Sequence, residues 1–150
     1  MSTNILAITF KSLHKPHHPL IPTNIYDARS AKTVAAIPSS AALATASHAI
    51  AEASGVNDDD LTLLINLRTT RIIASAIKPS GKPLTVDLQD GYGAHLEHAI
   101  GELLSLDNVV GINLEDFNRD TSDFFPPAEA ADRVRRVLLL RGTAGFPISW

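Results

Sequence analysis

Apolar and polar positions along this chain follow two rhythms: short unbroken apolar runs, and longer stretches in which apolar residues return every three or four positions. Ile5, Leu6, Ile8, Phe10 and Leu13 predict an amphipathic helix inside an N-terminal segment, residues 1–18. A first strand is expected from Leu20 to Tyr26, bounded by Pro19 and ending at Asp27, with a helix over residues 28–36. Ala41 to Ser47 reads as a second buried strand, although its alanines favour helix. Leu61, Leu64, Ile65, Ile72, Ile73 and Ala76 fall near helical spacing, with Asp60 as N-cap and Pro79 just past the end. Leu84 to Leu88 gives a third strand and Leu96, Ala99, Ile100 and Leu103 the next helix. Val109 to Leu114 gives a fourth strand. The last helix is predicted over about residues 128–141, with Ala130, Val134, Val137 and Leu138 inward, Arg133, Arg135 and Arg136 toward water, and Gly142 as its stop. Gly145-Phe146-Pro147 resembles the approach to a fifth strand.

Strands separated by helices at this rhythm imply right-handed βαβ units and a parallel sheet. The expected fold class is therefore α/β: an incomplete (βα)8 TIM-type barrel of about four parallel βα units preceded by an N-terminal helix. The 150 residues make one partial domain, against about 250 for a complete barrel. Such an arc leaves two parallel edges and an apolar interior to be covered, so a homo-oligomer or a partner chain is expected.

Composition narrows the function classes. With 13 basic and 16 acidic residues and no long run of either sign, the chain carries no footprint for nucleic acid or a charged membrane surface. Without cysteine, thiol chemistry and disulfides are excluded. No apolar run approaches the roughly 20 residues of a membrane span, and no signal peptide is recognisable, so a cytoplasmic location is expected. Residues 1–26 lack acids, as transit peptides do, but they also lack arginine.

Candidate chemistry concentrates in two strings, Val86-Asp87-Leu88-Gln89-Asp90-Gly91-Tyr92-Gly93 and Val110-Gly111-Ile112-Asn113-Leu114-Glu115-Asp116. In each, a buried apolar run ends abruptly in carboxylates, the pattern by which parallel α/β enzymes present ligands at the mouth of the sheet. Taken alone, Asp58, Asp59 and Asp60 read more simply as helix caps or solvated loop residues. His14, His17 and His18 lie in a proline-broken segment without metal-ligand spacing and read as a solvated loop.

The strings resemble the isocitrate lyase and phosphoenolpyruvate mutase superfamily, in its phosphonomutase-like branch, and Asn24-Ile25-Tyr26-Asp27-Ala28-Arg29-Ser30-Ala31 resembles that family's segment after strand 1. The resemblance implies a magnesium ion, with manganese as the alternative, surrounded largely through water by Asp58, Asp87, Gln89 and Glu115. Gln89 stands where the family has a second acid, which removes a negative charge; Asp90 follows, but alternation points it away. Tyr26, Ser47, His48 and Asn113 are the implied substrate-side residues, with Thr45-Ala46-Ser47-His48 as an anion-gripping turn. Asp27 is either near the site or an N-cap, and Ser47 can equally cap the next helix. The implied function is a magnesium-dependent lyase or mutase acting on a small 2-oxo or 2-hydroxy carboxylic acid through an enolpyruvate-type intermediate, with cleavage or formation of a C–C or C–P bond. The alternative is a catalytically inactive, shortened member that serves as a binding or oligomeric protein, or a non-functional fragment. Two departures favour that alternative: the family's catalytic Lys-Cys loop is missing, since no lysine follows Lys82, and so is the arginine-bearing fifth strand. Among residues 117–123 only Arg119 is cationic, which makes Arg119 and Asp27 the catalytic candidates.

Overall fold

Thr23–Ile25 (β1), Leu43–Thr45 (β2), Leu84–Asp87 (β3) and Val109–Asn113 (β4) pair in sequence order as one four-stranded parallel sheet. The computed structural model describes residues 3–144. It is an α/β arc of βα units, matching part of a TIM-type barrel. Thr3–Leu13 (α1) precedes the sheet, and Ala28–Ala35 (α2), Ser47–Ala53 (α3), Leu63–Ile77 (α4), Leu96–Leu104 (α5) and Pro127–Ala144 (α6) follow its strands.

Two apolar layers position the sheet. On the helix side Ile25, Leu43, Leu84 and Val86 pack with Leu67, Ile73 and Ile77 of α4 and with Leu96, Ile100 and Leu103 of α5. A smaller cluster joins Leu6, Ala7 and Phe10 of α1 to Ala42 and Val110. Burial at both faces is why the strands read as unbroken apolar runs. Beside β4, a hollow of about 350 Å³ lined by Phe10, Pro22, Thr85, Asn113 and Val137 remains open. No helix among the described residues is long and apolar enough to cross a membrane.

Several local expectations need correction. The first two strands are shorter than predicted, and Ser47 opens α3 instead of ending β2. Thr62, not Asp60, caps α4: its side chain accepts from the Ile65 N–H at 3.3 Å. Leu64 and Ile72 face water, whereas Asn66, Leu67 and Thr70 are buried, so the true inner stripe of α4 lies about one position round the helix. In α6 Arg133 is buried, not wet: its guanidinium lies 4.3 Å from the Phe125 ring centre and donates to the Asp90 carbonyl, while Nε finds no partner among the described residues. Arg136 reaches across to Glu97 of α5, whose carboxyl is held below the usual range chiefly by that hydrogen bond. Gly142 does not stop α6, which runs to Ala144. The predicted approach to a fifth strand at residues 145–147 lies outside the described residues. Residues 117–124 fold into a small antiparallel hairpin, Phe117–Asn118 (β5) with Asp123–Phe124 (β6). His14, His17 and His18 are exposed, as a solvated loop requires.

Candidate active site

The turn leaving β3 has an unusual backbone. Gln89, Gly91, Tyr92 and Gly93 all have positive φ, at 50°, 80°, 60° and 60°. For Gln89 and Tyr92, which carry side chains, this conformation is strained by roughly 1–3 kcal/mol each and persists only where the surroundings impose it. The surroundings do so. Asp87 Oδ1 accepts from the Gln89 N–H at 3.1 Å, Asp90 Oδ1 accepts from the Tyr92 N–H at 2.9 Å, and the Gln89 carbonyl accepts from the Glu115 N–H at 2.8 Å. Asn66 Nδ2 donates to the Asp87 carbonyl at 3.1 Å and to the Tyr92 hydroxyl at 2.9 Å, so a buried residue of α4 fixes both ends of the turn. The turn in turn fixes β4 relative to β3.

Asp87 is the hub. Its Oδ2 accepts from the Ser47 N–H at 2.9 Å, and its own N–H donates to Thr45 Oγ1 at 2.9 Å, which ties the end of β2 and the start of α3 to the end of β3. Buried Gln89 donates through Nε2 to the Asp58 carbonyl at 3.1 Å and to Asp58 Oδ1 at 2.9 Å. Its Oε1 accepts from Arg119 of the hairpin. Arg119 also donates to the backbone carbonyls of Asp58 (3.0 Å), Leu61 (3.5 Å) and Asp59, and its guanidinium lies 5.9 Å from the Tyr92 ring centre.

Asp58, Asp87, Gln89 and Glu115 are thus gathered at one mouth, and Arg119 reaches the same place. The other expected residues distribute differently. The Ser47 backbone N–H is committed to Asp87. His48 is not brought to the cluster: it lies on the exposed side of α3, 3.5 Å from Glu52. Asn113 pairs with Asp87 across β3 and β4 and lines the open hollow. Tyr26 is exposed beside β1. Asp27 caps α2 in a reciprocal box with Ser30, and those bonds, the backbone one first, lower its pKa. Asp90 serves the turn through Tyr92 and does not replace the missing acid. Asn66, Thr45 and Tyr92 were not identified as site residues from sequence; Tyr92 had a signal in the Gly91-Tyr92-Gly93 turn and Thr45 in the Thr45-Ala46-Ser47-His48 string, whereas Asn66 had none.

Electrostatics tie the acids together. The Glu115 carboxyl stands at the solvent edge, yet partial desolvation, then the negative charges of Asp87, Asp58 and Asp90, push its pKa up, with Arg119 opposing. Burial pushes the Tyr92 hydroxyl up to about 12, so it stays a neutral phenol that accepts from Asn66. This excess of negative charge, presented through oxygen atoms, suits a hard hydrated cation. Among the described residues no three Asp, Glu or His side chains converge to grip one ion directly. A cleft of about 1300 Å³ opens beside the mouth between α4, α5 and the hairpin; Tyr92, Arg119 and Phe117 stand on its wall, whereas Asp58, Asp87 and Glu115 do not line it.

Residues 10–149 match the family model described as phosphoenolpyruvate phosphomutase. Among solved structures, a protein from Burkholderia cenocepacia J2315 described as a phosphonomutase superposes with a TM-score of 0.83 at 31% identity, over 96% of this chain and 56% of its own. An oxaloacetate acetylhydrolase (TM-score 0.81, 22% identity, 97% of this chain and 51% of that one) and a 2,3-dimethylmalate lyase (0.79, 21%, 97% and 50%) share the fold. The chain spans about half the length of these relatives. No curated protein sequence matches it significantly.

Proposed function

Because the chain belongs to the phosphoenolpyruvate phosphomutase family, we propose that it serves a magnesium-dependent lyase or mutase reaction on a small 2-oxo or 2-hydroxy carboxylic acid, passing through an enolpyruvate-type species. The observation that carries this reading is the meeting of Asp58, from the loop after α3, with Asp87 and Glu115, from the ends of β3 and β4, in one mutually repelling cluster. Asp58, Asp87, Gln89 and Glu115 would hold the ion through water, with manganese as a substitute for magnesium. When bound, the ion supplies positive charge where an enolate oxygen develops negative charge.

The chain's own residues do the positioning. Asp87, held by the Ser47 and Gln89 N–H groups, has a fixed orientation and needs little rearrangement to meet a cation. Asn66 and Tyr92 keep the turn in place from behind. Asn113 and Tyr26 remain substrate-side candidates, and Arg119 is the one cation the hairpin can offer to a carboxylate. Absence of lysine and cysteine from that hairpin favours a second reading, a family member that binds metal and acid without turning them over.

Calorimetric titration with oxalate, an enolate mimic, in the presence and absence of magnesium separates these cases from failure of both. Metal-dependent oxalate binding that disappears in Asp87→Asn supports the site. Turnover of candidate 2-hydroxy acids then distinguishes enzyme from silent binder. Indifference to both magnesium and oxalate overturns the proposal.

A further inference from the structure

The residue at the second acidic position of the β3 turn is an amide, and its surroundings show why an amide belongs there. Gln89 is 2% exposed, so its side chain must meet its hydrogen-bonding capacity inside the protein. Its NH₂ group donates to Asp58, to the carbonyl and to the carboxylate, while its carbonyl accepts from Arg119. A glutamate in the same place could accept from Arg119, but it would set a second carboxylate against Asp58 with no proton between them. Among the natural side chains of this length, only the amide both donates to an acid and accepts from a guanidinium.

Arg119 is the other half of the pair. It is the only basic residue in the hairpin sequence Phe117-Asn118-Arg119-Asp120-Thr121-Ser122-Asp123-Phe124. Its four oxygen partners among the described residues, Gln89 Oε1 and the carbonyls of Asp58, Asp59 and Leu61, are all neutral, so none of them cancels its charge in a direct ion pair. That charge instead faces the potential of the acids at the mouth. One arginine therefore does two things at once: it pins the hairpin to the loop after α3, and it places a positive charge beside Asp58.

We propose that Arg119 is the resident cation of the acidic mouth and that its contact with Gln89 opposes entry of a divalent cation, so that metal binding and release of the β5–β6 hairpin are coupled. This rests on the metal reading given above. A divalent ion and a guanidinium beside the same acids repel each other, and the ion would be held through water by Asp58 and Gln89, the residues that Arg119 already contacts at the Asp58 carbonyl and Gln89 Oε1. The coupling is reciprocal: what the hairpin contact takes from metal affinity, bound metal takes from the hairpin contact.

Two measurements on the full chain test it. Free Mn²⁺ followed by electron paramagnetic resonance gives the affinity of the unaltered protein and of Arg119→Met; removing the arginine is expected to tighten binding about tenfold, within the usual range of coupled sites. A purely structural role for Arg119 predicts no gain. In the unaltered protein, Mg²⁺ is expected to speed trypsin cleavage of the Arg119–Asp120 bond relative to other sites, and this measurement stands even where the variant folds poorly. Unchanged or weaker Mn²⁺ binding in Arg119→Met, or cleavage at Arg119 that Mg²⁺ leaves unchanged or slows, overturns the inference while leaving the metal site intact. Failure of both proteins, the unaltered one and Arg119→Met, to take up Mn²⁺ removes the metal site itself and the inference with it.

Discussion

The turn Gln89–Gly93 and the hairpin β5–β6 both leave the C-terminal end of the sheet, one after β3 and the other after β4, yet they are held by opposite means. The turn is strained, with four of its five residues at positive φ, and is fixed by Asp87, Asp90, Asn66 and the Glu115 N–H. The hairpin is a two-residue ladder with Phe117 and Phe124 on the surface, fastened to the mouth largely through Arg119. Strain survives where buried bonds over-determine the backbone, and local opening is easiest where few such bonds exist. The first region sets where the acids sit; the second sets what reaches them.

Breaking the turn should have the largest effect. Asp87→Ala leaves the Ser47 and Gln89 N–H groups without their charged acceptor, and a loss of about 3 kcal/mol is expected, because each such bond contributes about 1.5–3 kcal/mol. Urea unfolding measures it, with Mn²⁺ uptake lost in the same variant. A loss below about 1 kcal/mol would show that the turn is held from elsewhere. Gly91→Ala comes next, at about 2 kcal/mol. At φ +80° the added Cβ would stand 2.6 Å from Leu96 Cδ1 and 3.0 Å from Leu114 Cδ1, and Leu96 is fully buried. Near-neutral stability would mean that the turn relaxes freely, contrary to the rigidity argued for it.

The same contrast explains what could be read in the sequence. β3, β4 and α5 were legible because burial on both faces, or one clean stripe such as Leu96, Ala99, Ile100 and Leu103, leaves an unmixed apolar signal. The inner stripe of α4 was misplaced because it contains two buried polar residues, Asn66, which holds the turn, and Thr70, whose hydroxyl donates to Asn66. Arg133 was misread although it shares a helical stripe with Ala130 and Val137: its residue type pointed to water, and only the Phe125 ring and the Asp90 carbonyl account for its burial. Asp58, Asp87 and Glu115 were legible as acids closing apolar runs or matching a family pattern. The Gln89–Arg119 pair was not, because it joins residues 30 apart across two loops, and neither loop carries a periodic signal.

A third segment at the end of the sheet, Tyr26–Asp27, is intermediate, held by the Asp27–Ser30 capping box, by the Tyr26 N–H donating to Ser30 Oγ and by the Ala31 N–H donating to the Asp27 carbonyl. Asp27→Ala should cost about 1 kcal/mol at neutral pH, the usual value for an N-cap. The folded pKa of Asp27 is lowered, first by the Ser30 backbone N–H and then by the Ser30 hydroxyl, so the cap's contribution is fully present above the unfolded value of 3.8. It is lost as pH falls through the folded value. Urea midpoints of the two proteins should therefore differ near pH 6 and converge on acidification below 3.8, as the pH passes through the folded value. A gap independent of pH would assign the loss to helix propensity instead of the charged cap.

The smallest expected effect is the sharpest test of the hairpin. Phe124 is 67% exposed and meets Phe117 edge to face at 5.7 Å, a contact with little behind it. Phe124→Ser should change global stability by no more than about 0.5 kcal/mol, as surface substitutions do. It should nevertheless raise trypsin cleavage at Arg119, because opening the hairpin exposes that bond without unfolding the sheet. The two readouts should separate here and move together in Gly91→Ala, where global unfolding itself becomes easier. If Phe124→Ser instead destabilised the whole protein as much as Gly91→Ala, the hairpin would unfold with the core, and a cation arriving at the mouth would have to work against the full stability of the fold to displace Arg119.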